Sequence, residues 1–163
     1  MEPILTHTES THVDASPQAV YDLVSDITRT GEWSPICATC WWDEKDEGAG
    51  AAGPAVGARF TGRNVKPDRT WETRSTVVAA EPGREFAWEV GEGLVRWGYA
   101  MEPAGNGTEL TESWEFLPAG LEMFRTRMGD DAEHQIAVRA ADAHAGIPAT
   151  LAAIKRVAER PQQ

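Results

Sequence analysis

The chain has 163 residues, a length that fits one domain. With 41% hydrophobic and 25% charged residues it has the make-up of a globular protein, which excludes disorder as its default state. A net charge of -11, with 15 basic residues scattered among 26 acidic ones, excludes nucleic acid and anionic membrane surfaces as natural partners.

No apolar run is long enough to span a bilayer, so no membrane insertion is expected. The first ten residues lack the basic start and apolar stretch of a signal peptide. The expected location is the cytoplasm, where the two cysteines stay reduced.

Ile4 to Val13 is rich in threonine and alternates in polarity, which predicts a first strand. Ser16-Pro17 then supplies an N-cap and a first helical residue. The helix is expected over Pro17–Ser25, with Val20, Leu23, Val24 and Ile27 as its apolar stripe. A second short helix follows over Ile27–Trp33 and closes at Ser34-Pro35. Ile36 to Asp43 reads as a second strand, with Ile36, Ala38, Cys40 and Trp42 on one face and Cys37, Thr39 and Trp41 on the other. Lys45 to Gly57 is too rich in small residues to pack a core and reads as a loop.

Gly57 to Phe116 carries five more alternating runs, Ala58–Val65, Thr70–Ala80, Glu85–Val90, Leu94–Glu102 and Thr108–Phe116. Gly, Pro, Asp and Asn punctuate them, and turns this short force antiparallel neighbours. One face of this meander collects Phe60, Trp71, Phe86, Trp88, Trp97, Tyr99 and Trp114. Such a face needs a cover. Leu121–Met128 is a candidate short helix, and Asp130–Arg160 a long Ala-rich one with a kink or break near Gly146 and Pro148. The long helix supplies the cover, and the class is α+β.

The order of elements resembles the START-like, or SRPBCC, superfamily with its helix-grip fold. Val13–Asp26 is similar to that superfamily's strand-to-helix entry, and Glu32-Trp33-Ser34-Pro35 to its step into the second strand. GARFTGRN at 57–64, Trp71 and EPGREFAWEV at 81–90 resemble the bacterial branch labelled polyketide cyclase/dehydrase. The resemblance spans nearly the whole chain. It implies a curved antiparallel sheet of about six or seven strands wrapped around the long C-terminal helix. Residues 1–163 would form a single ligand-binding domain. The superfamily holds lipid carriers, hormone receptors and cyclases, so the resemblance fixes the fold more tightly than the activity.

The C-x-x-C at Cys37–Cys40 lies in an expected strand, where residues three apart face opposite sides. It therefore reads as two ordinary small residues, and no metal site is expected. The histidines His7, His12, His134 and His144 show no metal-binding spacing. No nucleophile elbow, phosphate loop or dinucleotide motif is present, and no cofactor is expected.

Glu112 alternates in phase with Leu110, Trp114 and Phe116, so it shares their apolar face. A buried carboxylate needs a partner, a wet cavity or a proton. It is a candidate general acid/base, and the alternatives are an ion pair with Arg139 or a strand phase shifted by one. His144 sits at the edge of the inward helical stripe and is a second acid/base candidate.

The expected function is binding of a small hydrophobic or aromatic molecule between sheet and helix, by a monomer or homodimer. Trp33, Trp71, Trp88, Trp97, Tyr99 and Trp114 would wall the cavity, and Asn64, Thr73 and Glu112 would orient the ligand. Phe124, in the Leu121–Met128 segment, and the Lys45–Gly57 loop would frame its mouth. Two other readings stand beside this one: a polyketide cyclase, aromatase or dehydratase using Glu112 or His144 in the same cavity, and a protein-interaction module whose aromatics fill a solid core.

Overall fold

A computed structural model describes residues 5–43 and 53–161. Seven strands form one antiparallel sheet in the order β1-β7-β6-β5-β4-β3-β2. They are β1 Thr6–Val13, β2 Cys37–Trp42, β3 Arg59–Lys66, β4 Arg69–Glu81, β5 Glu85–Val90, β6 Val95–Ala104 and β7 Gly107–Phe116. The helices are α1 Pro17–Val24, α2 Pro118–Met128 and α3 Ala132–Ala158, with 3-10 segments over Ile27–Glu32 and Gly129–Asp131. This is the expected helix grip: short turns keep β3 to β7 in sequence order, β2 pairs with β3, and β1 closes on β7 from the other side.

The local chemistry of the α1 entry is as the sequence dictates. Ser16 Oγ accepts the Ala19 N–H at 3.1 Å and Pro17 occupies the first helical position. Such a cap is worth about 1 kcal/mol. Val20, Leu23 and Val24 are buried as expected, joined by Tyr21. Thr108, fully buried, donates to the Ala15 carbonyl at 2.7 Å and fastens the turn before α1 to β7. The C-terminal turn of α3 is tied to the same corner, because Lys155 donates to the His12 carbonyl and Glu159 accepts the Asp14 N–H.

The core lies between the concave face of the sheet and α1 and α3. Val13, Val20, Phe86 and Leu110 meet Ile136, Ile147 and Ile154 there, all at most 1% exposed.

Three expectations are corrected. First, α3 is unbroken through Gly146 and Pro148. A proline inside a helix costs roughly 3 kcal/mol. Here Ala143, Ile147, Thr150, Leu151 and Ile154 stay in phase and buried on either side of it, and burying a side chain such as Leu or Ile gives about 1.5–3 kcal/mol. Packing outweighs the lost hydrogen bond. Second, Leu94 belongs to the Gly91–Leu94 turn and not to β6. Third, β2 does not alternate regularly. Its register against β3 slips between Cys37 and Thr39, where Cys37 pairs with Asn64 and Thr39 with Arg63. Ala38 is thus an extra residue, a β-bulge. The expected Lys45–Gly57 loop lies, over 45–52, outside the described residues.

Candidate functional site

The strand registers stack side chains in rows across the concave face. Trp88 on β5, Trp97 on β6 and Trp114 on β7 form one row. Phe86, Tyr99 and Glu112 form the next, and β1 continues it with Glu9. Asn64 stands opposite Trp71, Gly62 opposite Thr73, and Phe60 opposite Ser75. Over these rows the side chains do not fill the space. They leave a cavity of about 250 Å³, just below the usual range for small-molecule pockets of about 300–1,000 Å³.

The wall is mostly apolar. Trp33, Trp71, Trp88, Trp97, Tyr99 and Trp114 all line it, as do Val24, Ile27, Phe60, Val90 and Val95. Indole and phenol rings meet edge-on or tilted, Phe60 with Trp88 at 6.0 Å and Trp88 with Tyr99 at 5.8 Å. Polar groups are few. Asn64 Nδ2 donates to Thr73 Oγ1 at 3.3 Å, so these two lining residues form one polar spot.

Glu112 is the second polar spot, and the phase read from the sequence is correct. It is 3% exposed, and its Oε1 has no hydrogen-bond partner among the described residues. Burial pushes its pKa up to about 8, hydrogen bonding with Tyr99 opposes the shift, and the charge of Glu9 adds to it. Tyr99 is raised well above the usual phenol value by burial and by the Glu112 charge, while a hydrogen bond with Trp33 pulls the other way. Trp33 N–H, Tyr99 hydroxyl and Glu112 carboxyl therefore form a polar line through an apolar wall. Burial thus favours the protonated carboxyl at neutral pH.

The alternative reading, an ion pair of Glu112 with Arg139, is not met: Glu112 forms no ion pair among the described residues, and its Oε1 has no partner there. Arg139 lies on α3, lines the cavity, and stacks 5.6 Å from the Trp71 ring. Arg69 covers the same ring at 4.2 Å. Burial, then the charge of Arg69, lowers the Arg139 pKa, and Asp142 opposes this. Asp142 is itself paired with Lys66 at 3.0 Å.

Two expected site residues lie elsewhere. His144 is not among the residues lining the cavity. Its Nδ1 is 3.1 Å from His7 Nδ1, its ring packs 6.1 Å from Trp114, and His7 Nε2 reaches Glu9 at 2.7 Å. Phe124 packs edge-on against Phe116 at 5.2 Å and does not reach the cavity. The expected framing by α2 is thus corrected: Pro35, Ile36, Trp71, Arg139, Asp142 and Gly146 border the cavity instead.

Sequence reasoning missed Cys37 and Cys40 as lining residues, because the bulge in β2 reverses the side that one of them faces. It named Arg139 only as a partner for Glu112. The inward spacing of Arg139 with Ile136, Ala140 and Ala143 was the available signal.

The sequence matches the family described as polyketide cyclase/dehydrase and lipid transport over residues 5–159. Against curated proteins it finds no match. Among solved structures it is similar to the Polyketide_cyc-like protein Cgl2372 from Corynebacterium glutamicum. The two are 55% identical over 98% of this chain and 94% of that one, with a TM-score of 0.68. It is similar in fold to the KanY protein, at 18% identity over 98% and 100% of the two chains and a TM-score of 0.67. It is similar in fold also to the di-domain ARO/CYC StfQ from the steffimycin biosynthetic pathway, at 16% identity over 96% of this chain and 51% of that one, with a TM-score of 0.65.

Proposed function

The chain belongs to the polyketide cyclase/dehydrase and lipid transport family, and from that premise we propose that it binds a small hydrophobic or aromatic molecule bearing a hydrogen-bond acceptor. The observation that carries this reading is Glu112. A solid core has no use for a buried carboxyl oxygen without a partner, which costs roughly 1–3 kcal/mol or more. In a cavity the same group, kept protonated by its surroundings, donates to a ligand carbonyl or hydroxyl. Trp33, Trp71, Trp88, Trp97, Tyr99 and Trp114 supply the apolar contact, and Asn64 with Thr73 a second polar anchor. The reading takes the chain as one ligand-binding unit, cytoplasmic, monomer or homodimer. The solid core of the interaction-module alternative is at odds with the cavity.

Tryptophan fluorescence tests the proposal directly, since the indoles wall the cavity. Titration with a panel of apolar ketones and phenols is expected to give saturable changes. Affinity should be constant at low pH and fall as pH rises through about 8, the Glu112 value. The absence of any saturable change across the panel would overturn it.

The protonated carboxyl also favours an enzymatic reading. A neutral acid near a bound carbonyl can polarise it and pass a proton to the developing alkoxide, while the walls fold a reactive chain. On this reading Glu112 is the acid, Tyr99 positions it, and His144 takes no part. Turnover of a poly-β-ketone analogue that disappears in Glu112→Gln and persists in His144→Ala would support it. Turnover that survives Glu112→Gln would end it.

A further inference from the structure

In a regular strand, residues three apart face opposite sides and lie about 10 Å apart. The bulge at Ala38 changes this for Cys37 and Cys40. Both side chains turn to the cavity side, and their sulfurs stand 3.1 Å apart. The bulge is held from two directions. On β3, Gly62 leaves room for the pair, since a Cβ there would lie 3.2 Å from each sulfur. On the 3-10 segment, Gly31 packs so closely that a Cβ would collide with the Ala38 carbonyl oxygen. Ser34 Oγ accepts the Cys37 N–H at 2.9 Å and fixes the start of the strand. Cys40 is 6% exposed and Cys37 is half-buried.

A metal is a poor occupant. Among the described residues no third His, Cys, Asp or Glu stands close enough to complete a ligand set, and structural zinc takes four ligands. We propose that Cys37 and Cys40 form an oxidisable dithiol in the cavity wall, which a hydroperoxide entering the cavity closes into an intramolecular disulfide.

The roles are unequal. The hydrogen bond between the thiols raises the Cys37 pKa and lowers that of Cys40. Cys40 is the attacking sulfur and Cys37 the resolving one. The Cys40 thiolate attacks one oxygen of hydrogen peroxide, the O–O bond breaks, and hydroxide leaves, taking up the proton that Cys40 had lost. Cys40 is then a sulfenic acid. The Cys37 sulfur attacks Cys40 sulfur, the S–S bond forms, the S–O bond breaks, and the Cys37 proton leaves with the hydroxide. Two thiols and one peroxide become one disulfide and two waters. Two electrons pass from sulfur to oxygen. Closure needs the sulfurs to approach by about 1 Å, to the S–S length of about 2.05 Å.

Titration of the reduced full-length protein with hydrogen peroxide, followed by free-thiol counting and intact mass, tests this. The expected result is joint loss of both thiols, a mass lower by two hydrogens, no covalent dimer, and reversal by a dithiol reductant. Cys37→Ala should accumulate a Cys40 sulfenic acid that a 1,3-dione traps. Cys40→Ala should leave Cys37 reacting at least ~10-fold more slowly. If either alanine variant fails to fold, serine takes its place. Oxygen addition without loss of hydrogens, dimers in place of the internal disulfide, or equal rates in the two variants would each overturn the proposal. No ligand is involved, so its failure leaves the binding reading untouched.

Discussion

Tyr99 and Glu112 stand opposite each other on β6 and β7, both buried in the cavity wall, and Glu112 Oε1 has no hydrogen-bond partner among the described residues. The pair concentrates the cost of the site in one place. Folding takes a carboxyl out of water and favours its neutral form.

That cost is measurable as a pH dependence. The folded protein holds the Glu112 proton up to about 8, while the ordinary carboxyl value is 4.5. Between these values the unfolded chain binds fewer protons than the folded one, so stability falls with rising pH. The contribution is fully present below 4.5 and lost as pH passes 8. At about 1.4 kcal/mol per unit of pKa, the total is several kcal/mol. Glu112→Gln removes the dependence and keeps the shape. Urea melts should show the variant gaining on the parent with each unit from pH 5 to about 8 and levelling off above it. Parallel curves would mean that Glu112 ionises freely in the folded protein.

Arg139 sets a second expectation, on ligand charge. Its guanidinium borders the cavity, stacks on Trp71, and forms no ion pair among the described residues, Asp142 being engaged by Lys66. A ligand with a carboxylate at its outer end gains a charge-assisted hydrogen bond there. Arg139→Gln should weaken binding of an aryl or alkyl acid by about tenfold, roughly the 1–3 kcal/mol of such a bond, and leave the methyl ester unchanged. Equal losses for acid and ester would show that the stem of Arg139 contributes packing alone.

His144 separates the two candidate acids. It sits against Trp114 and His7, outside the cavity. His144→Ala should cost about 1–2 kcal/mol of stability through lost packing and hydrogen bonding, with ligand affinity changed less than twofold. A collapse of affinity at unchanged stability would return His144 to the site.

The contrast between Glu112 and the cysteines shows where sequence reading stops. The Glu112 side was legible because β7 alternates without interruption from Thr108 to Phe116, and a period of two leaves little freedom once Trp114 and Phe116 are assigned inward. The strand order was legible because each turn carries its own glycine or proline chemistry, such as Gly105 and Gly83 with positive φ. Cys37 and Cys40 were misassigned because one extra residue inverts every side that follows it. Nothing local marks Ala38 as that residue. The reasons lie far along the chain, at Gly62, and across a tertiary contact, at Gly31. Phe124 and His144 failed for a related reason. Helical spacing gives the inward face, but which length of that face meets the cavity depends on how α2 and α3 are seated.

Gly31 offers the sharpest test of that account. Its substitution by alanine puts a methyl group into the Ala38 carbonyl oxygen. This neighbour is backbone, held by the pairing of β2 with β3 on either side of the bulge, so it cannot swing away as a flexible side chain would. Either the 3-10 segment lifts from β2 or the bulge is pushed out. Overpacking of this kind costs about 1–3 kcal/mol. If the segment lifts, Trp33 moves with it, because Trp33 N–H closes the last turn of that segment on Thr30. The Trp33–Tyr99 hydrogen bond is then weakened. If the bulge moves, Cys37 and Cys40 separate, and peroxide closes the disulfide more slowly. Gly31→Ala should therefore lower the melting temperature and impair at least one of two readouts, ligand-induced tryptophan fluorescence or the rate of joint thiol loss. A variant as stable as the parent, with both readouts intact, would show that the Gly31–Ala38 contact does not hold the bulge in place.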